Sequence, residues 1–208
     1  MLILGTNICA IICLDKNSSK ATHRKSFWPG KLRMTEGDAL KQFEELYKAY
    51  YPRIFSFLYK LCKDFSLTEE LTQETFLQAF RSFHRFQGNC EVFTWLAAIA
   101  KHTFYKHLRK HKLGLEAISL DYLAETYCIN TLGDPEDELK RKMVTEAIRR
   151  IIKGIPDKYR DVVMLRIYGE MSFSQVAQAL DISESSAKVI FFRAKKMLME
   201  EIQNEFGL

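Results

Sequence analysis

From Asp38 onward apolar residues recur at intervals of three and four: Leu40, Phe43, Leu46, Tyr47, Tyr50 and Tyr51, then, beyond Pro52, Ile54, Phe55, Leu58 and Leu61. Such spacing turns one face of a helix inward, so the run predicts helix on either side of an interruption at Pro52. Ser66 followed by Glu69 has the form of a capping box and predicts a helix continuing to about Phe83. Gly88 and Asn89 then turn the chain, and the helical rhythm resumes from Phe93 to about His111. Residues 35–112 are therefore expected to form a compact helical domain with a core rich in Phe and Tyr.

Between Leu113 and Pro135 no periodicity is sustained, and Gly114, Asn130, Gly133 and Pro135 mark residues 113–136 as a flexible linker. Asp137 to Lys153 turns Leu139, Met143, Ala147, Ile148, Ile151 and Ile152 to one side, with Gly154 placed to stop the helix. Pro156 suits the start of the next helix, where its missing N–H costs nothing, and Gly169 suits its end. Ser172 with Gln175 repeats the capping-box pattern ahead of a short helix carrying Val176, Ala177 and Leu180. Asp181-Ile182-Ser183 makes a turn and Ser183 is positioned to cap the helix that follows, whose Ala187, Ile190, Phe191, Ala194 and Leu198 form a buried stripe. Residues 137–208 thus read as a second helical domain built on a helix-turn-helix. The fold class is all-α, two small helical domains joined by a flexible linker, without strands, repeats or low-complexity tracts.

Residues 1–34 do not share this pattern. Leu2 to Leu14 is apolar for about thirteen positions, too short to span a bilayer, and lacks the basic start and small-residue cleavage site of a secretory signal. Asp15 to Arg33 is polar and aperiodic, so the stretch is expected to be a disordered extension or the product of a start codon assigned too early, with Met34 the functional beginning. The five cysteines are odd in number and scattered, without Cys-x-x-Cys or zinc-finger spacing, and read as reduced cytosolic thiols with no metal.

A net charge of +5 fits a polyanionic partner without identifying one. Its placement says more, because Lys101 to Lys112 holds five Lys or Arg, three His and no acid. Stepping 100° per residue, Leu96, Ile99, Ala100 and Thr103 point inward there, which turns Trp95, Ala98, Lys101, His102, Tyr105 and Arg109 outward. Exposed aromatics among cations can stack unpaired bases while the cations hold the backbone. The other reading is that Trp95 and Tyr105 cap the core. The loop from Gln87 to Val92 is placed to form a pocket for an everted base. On the preceding helix Thr72, Phe76, Ala79 and Phe83 face inward, leaving Glu70, Gln73, Glu74, Leu77 and Arg81 as either a solvated face or a protein interface anchored by Leu77. On the last helix Ser185, Ser186, Lys188, Val189, Phe192, Arg193 and Lys196 lie opposite the buried stripe, where a recognition helix enters the major groove. No paired carboxylates with His, Gly-rich phosphate loop or nucleophile elbow appears, so the chain is not expected to be an enzyme and needs no cofactor.

Four segments in order resemble the extracytoplasmic-function class of sigma-70 family factors: Phe43-Glu44-Glu45-Leu46-Tyr47 with Tyr50-Tyr51-Pro52; Leu71-Thr72-Gln73-Glu74-Thr75-Phe76; Phe93-Thr94-Trp95-Leu96 with Ile99-Ala100; and the helix-turn-helix ending Phe192-Arg193-Ala194-Lys195-Lys196. The resemblance implies a cytoplasmic RNA polymerase sigma factor that recognises −35 and −10 promoter elements and traps the melted non-template strand. It sets Glu70, Gln73, Glu74 and Leu77 against the clamp helices of the largest subunit of bacterial core polymerase, with the β flap as a further contact. Gln87, Gly88, Asn89, Trp95, Lys101, His102, Tyr105 and Arg109 would meet −10 DNA. Ser183, Ser185, Ser186, Lys188, Val189, Phe192, Arg193 and Lys196 would read the −35 duplex. An anti-sigma factor is a further implied partner. His102 and Lys106 depart from the Asn and Asp common in the family. The alternative is a helix-turn-helix regulator that binds duplex operators without polymerase.

Overall fold

The computed structural model describes residues 36–114, 118–120, 122 and 138–206. The extension expected over residues 1–34 and most of the expected linker lie outside them. Among the described residues all regular structure is helical. Helix α1, Glu36–Cys62, runs unbroken through Pro52, in contrast to the interruption expected there. The ring removes one backbone hydrogen bond, but it sits on the solvent side. Phe43 and Leu46 before it and Ile54, Phe57, Leu58 and Leu61 after it enter the same core, so packing on both halves outweighs the local cost.

Lys63, in the left-handed conformation at φ 53°, turns the chain into α2, Phe65–Ser82. The cap is Asp64, whose carboxylate accepts from the Leu67 N–H at 2.8 Å, and not the expected Ser66. Asp64 has the extended backbone a cap requires, whereas Ser66 is already inside the helix. Three threonines on the inner face are fully buried, and each hydroxyl donates to the carbonyl four residues back: Thr68 to Asp64, Thr72 to Thr68 at 2.7 Å and Thr75 to Leu71 at 2.6 Å. A 3-10 turn at Phe83–Arg85 and the loop through Asn89 lead to α3, Val92–Lys110, which packs on both α1 and α2.

The second unit comprises α4, Glu138–Gly154; α5, Asp157–Val163, continuing into a π-helical turn at Met164–Tyr168; α6, Phe173–Leu180; and α7, Glu184–Phe206. Helix α7 lies at its centre, against α4, α5 and α6. Buried Arg160 donates to the Ile152 carbonyl at 3.0 Å and pairs with Asp157, tying the end of α4 to α5. Gly169 closes the π turn by donating to the Met164 carbonyl at 3.2 Å, and a Cβ there would stand 2.7 Å from the Leu165 carbonyl oxygen. Gly169→Ala is accordingly expected to lower the melting temperature, at an overpacking cost of about 1–3 kcal/mol; Gly154→Ala, where a Cβ meets nothing within 4 Å, is the control.

The two units touch. Helix α6 packs on α3, and α1 meets the π turn. Within the span read as a flexible linker, Ile118 and Leu120 are buried, the Ser119 N–H donates to the Leu61 carbonyl at 2.8 Å, and the Tyr168 hydroxyl donates to the Ser119 carbonyl at 2.7 Å. At those residues the expectation of a free tether is corrected: two aliphatic side chains and two hydrogen bonds hold the segment between α1 and the π turn.

Candidate nucleic-acid and protein interfaces

The outer face of α2 carries Glu70, Gln73 and Leu77 exposed, with Glu74 half-buried and accepting from the Gln78 amide at 2.7 Å. Leu77 is 43% exposed and Phe80, one turn on, 45%, although both belong to a helix with a full inner face. Phe80 rests edge-on against Phe43 at 5.0 Å, so its position is set from beneath while its other side is open. The face therefore combines two acids with an apolar pair, the composition of a protein interface with an anchor. Phe80 was missed in the sequence, where its three-residue spacing from Leu77 was the available signal.

The loop before α3 exposes Gln87 and Asn89, and Gly88 adopts φ 70° between them. Trp95 corrects the expected outward orientation: it is 1% exposed, stacked on Phe86 at 4.7 Å and close to Phe83 at 6.5 Å. A helical angle gives direction relative to one neighbour, but the loop folds back over this side of α3 and encloses the indole. Ala98, also placed outward by its angle, is buried. The outer face begins further along. Lys101 is half-buried and its ammonium lies 2.5 Å from the Asp161 carboxylate on α5. Tyr105 is half-buried, and its hydroxyl pKa is pushed up mainly by burial and then by the charge of Asp161. Arg109 is exposed, as are Lys106, Lys110 and Lys112 of the same basic run. On α1, Arg53 lies over the Phe93 ring at 3.5 Å from its centroid and adds an exposed cation near the start of α3 that no local pattern announced.

Burial, reinforced by Arg109, Lys106 and Lys101, holds the His102 pKa below its usual 6.5. The folded chain thus prefers neutral His102, while the unfolded chain takes up its proton around pH 6.5. Stability from this group is present above that pH and is lost as pH falls through the folded value. Thermal melts between pH 7.5 and 5 are expected to show a decline that is shallower in His102→Gln. An identical slope in the variant would remove His102 as a cause.

In the second unit the expected geometry is present. Ser172 and Gln175 form a reciprocal capping box, Asp181 takes the left-handed turn at φ 53°, and the Ser183 hydroxyl accepts from the Ser186 N–H at 3.1 Å. Ser183 is also within 3.0 Å of the Ser185 hydroxyl and 2.8 Å of that of Ser186, so the three serines form one polar cluster at the start of α7. Ala187, Ile190, Ala194 and Leu198 are buried, whereas Val189 is 47% and Phe192 59% exposed. Lys188 pairs with Glu184 at 2.7 Å and Lys196 with Glu200 at 3.4 Å, both on the surface, where such pairs contribute little and yield readily to phosphate. Arg193 is exposed between them. Sequence reasoning overlooked Phe173, which packs against Phe191 and Phe192 with Arg166 over its ring at 4.8 Å, and so sets how the recognition helix sits.

Among the described residues no three His, Cys, Asp or Glu side chains are grouped to hold a metal ion, and no helix is long and apolar enough to cross a membrane. The Cys62 thiol pKa is pushed up to about 12 by burial, which makes it unreactive.

Residues 46–113 match the family model for Sigma-70 region 2, and residues 145–198 that for Sigma-70, region 4. The ECF RNA polymerase sigma factor SigM of Bacillus subtilis (strain 168) is 30% identical over 155 residues, covering 74% of this chain and 91% of the relative. RNA polymerase sigma factor YlaC of the same strain is 29% identical over 160 residues, 76% of this chain and 91% of YlaC. A similar solved structure is the sigma factor RpoE in complex with the anti-sigma factor NepR from Bartonella quintana, with TM-score 0.49, 17% identity and coverage of 78% of this chain and 98% of that one.

Proposed function

This chain belongs to the extracytoplasmic-function class of the sigma-70 family of RNA polymerase sigma factors, and on that premise we propose how its surfaces divide the work of initiation. The outer face of α2, with Glu70, Gln73, Glu74, Leu77 and Phe80, docks on the clamp helices of core polymerase. The loop residues Gln87, Gly88 and Asn89, with Lys101, His102, Tyr105 and Arg109 on α3, receive the melted non-template strand of the −10 element. Trp95 supports that loop from within and does not stack on a base. Ser185, Ser186, Lys188, Val189, Phe192, Arg193 and Lys196 read the −35 duplex, with Ser183 holding the start of the recognition helix. Residues 35–112 and 137–208 act as the two functional domains.

The observation that carries this reading is the joint presence of an open docking face on α2 and an unobstructed recognition face on α7 in one short chain. The factor works in the cytoplasm and performs no chemistry of its own. Binding free energy offsets the cost of unpairing, with single-strand contacts worth roughly 1–3 kcal/mol per stacked base. An anti-sigma protein covering the α2 face is its natural regulator. A regulator that binds operators alone is disfavoured, because it leaves the match over residues 46–113 without a role.

Reconstitution with bacterial core polymerase, followed by sequencing of transcript starts on a genomic template, is expected to reveal a start-site set that shares two upstream elements. Arg193→Ala should weaken selection of the upstream element by about 1–3 kcal/mol if it contacts a base edge. Start sites identical to those of core enzyme alone would reject the proposal.

A further inference from the structure

We propose that His107 and His111 form a two-imidazole site for a divalent transition-metal ion of the zinc and nickel class, and that an ion held there weakens docking by the α2 face. The second half rests on the assignment of that face to core polymerase. The two histidines stand four residues apart at the carboxyl end of α3, and the His111 N–H donates to the His107 carbonyl at 3.1 Å, so one regular turn separates them. That spacing sets both side chains on one face of the helix. Their ring centroids lie 4.3 Å apart. Among the described residues neither ring makes a hydrogen bond, which leaves their nitrogens open to a ligand. His84 differs, since Arg85 donates to its ring nitrogen at 3.1 Å.

Imidazole suits zinc, copper and nickel, whereas magnesium and calcium take oxygen ligands. A tetrahedral zinc ion bonded to one nitrogen of each ring, at about 2.0–2.1 Å, would set the ring centroids about 5 Å apart. The observed pair is therefore close to the geometry such an ion needs. Half-buried His107 supplies the fixed ligand and exposed His111 the adjustable one. Burial, the largest influence on His107, holds its pKa below the usual 6.5, so the ring is neutral and its lone pair free at neutral pH. Two protein ligands leave the rest of the coordination shell to water, which suits an exchangeable ion better than a structural one.

Among the charges acting on His107, His111 and Lys110 are positive, while Glu70, across on α2, is negative. Lys106, Arg109 and Lys112 are exposed in the same run and also oppose a cation. Solvent and salt screen those charges, whereas coordinate bonds act at contact distance. The carboxyl end of a helix itself favours positive charge. Glu70 is exposed and belongs to the proposed docking face. A doubly positive ion beside it would offset its charge or draw it into the coordination shell, and either change removes an acid from the surface offered to polymerase.

The test uses the full chain and zinc chloride. Long-range proton–nitrogen NMR spectra of the imidazoles are expected to show zinc shifting the His107 and His111 resonances and leaving those of His84 in place. His111→Gln should weaken zinc binding at this site by about tenfold or more, because the first nitrogen holds the second at high effective concentration. His107→Gln should do the same, and the exposed His111 position carries the test if the half-buried one fails to fold. In titrations of the fluorescein-labelled chain with core polymerase, zinc should weaken docking of the parent about fivefold and leave His111→Gln unaffected. Unmoved His107 and His111 resonances, or equal zinc affinity in His111→Gln, overturn the site. Zinc binding with the same docking response in parent and variant overturns the coupling to α2. A parent that docks on polymerase under no condition rejects the assignment of the α2 face, while the imidazole shifts still decide the metal site.

Discussion

Trp95→Ala is expected to destabilise the chain by about 3–5 kcal/mol, a large part of the stability of a domain of this kind. The indole is 1% exposed, stacks on Phe86 at 4.7 Å and lies near Phe83, while its neighbours Phe93, Leu96 and Ala97 are buried around it. Removing it leaves a cavity bounded by α3, the 3-10 turn and the loop, none of which can collapse without disturbing the others. The loop with Gln87, Gly88 and Asn89 would lose its support, so strand binding should fall as a consequence of local unfolding. Urea denaturation followed by circular dichroism checks the magnitude. Trp95→Phe, which keeps a ring, should recover most of both stability and strand binding. An alanine variant with an unchanged denaturation midpoint that nevertheless fails to open promoters would restore Trp95 as a stacking residue and refute its place in the core.

Glu70→Arg combined with Leu77→Arg is expected to weaken binding to core polymerase by about 30-fold or more, the tenfold-per-1.4-kcal/mol equivalent of losing an interface anchor worth about 2 kcal/mol. Both residues are exposed, while Thr72, Thr75, Phe76 and Ala79 of the same helix face the core. The substitutions should therefore leave stability within about 0.5 kcal/mol of the parent. Reversing one charge and placing another where Leu77 presents an apolar surface opposes docking by repulsion and by desolvation. Size-exclusion co-elution with core enzyme reads the loss, and a thermal melt confirms the fold. Normal co-elution by this variant would mean that polymerase is held elsewhere on the chain.

The helix-turn-helix was legible almost residue by residue, since its signals are local: a Ser172–Gln175 capping box, a three-residue turn and a stripe at Ala187, Ile190, Ala194 and Leu198. The outer face of α2 was legible for the same reason, because its inner residues repeat at helical spacing. Two expectations failed, one to longer-range packing and one to a competing local cap. Pro52 is carried inside α1 because both flanking stretches enter one core, and Asp64 caps α2 ahead of Ser66 because the Lys63 turn brings its carboxylate to the Leu67 N–H.

Local spacing and chemistry in the sequence determined that the described residues are helical, with the recognition helix capped at Ser183 and Glu70 of α2 outward; each property depends on residues within a few positions of one another. Tertiary structure alone decided the fate of α3. Periodicity could orient Trp95, Lys101 and Tyr105 relative to Leu96 and Ile99, but not reveal a loop returning over one side or Asp161 arriving from sixty positions away. Burial is a count of neighbours from every direction, and a helix enclosed on several sides has no outer face for a single angular pattern to disclose.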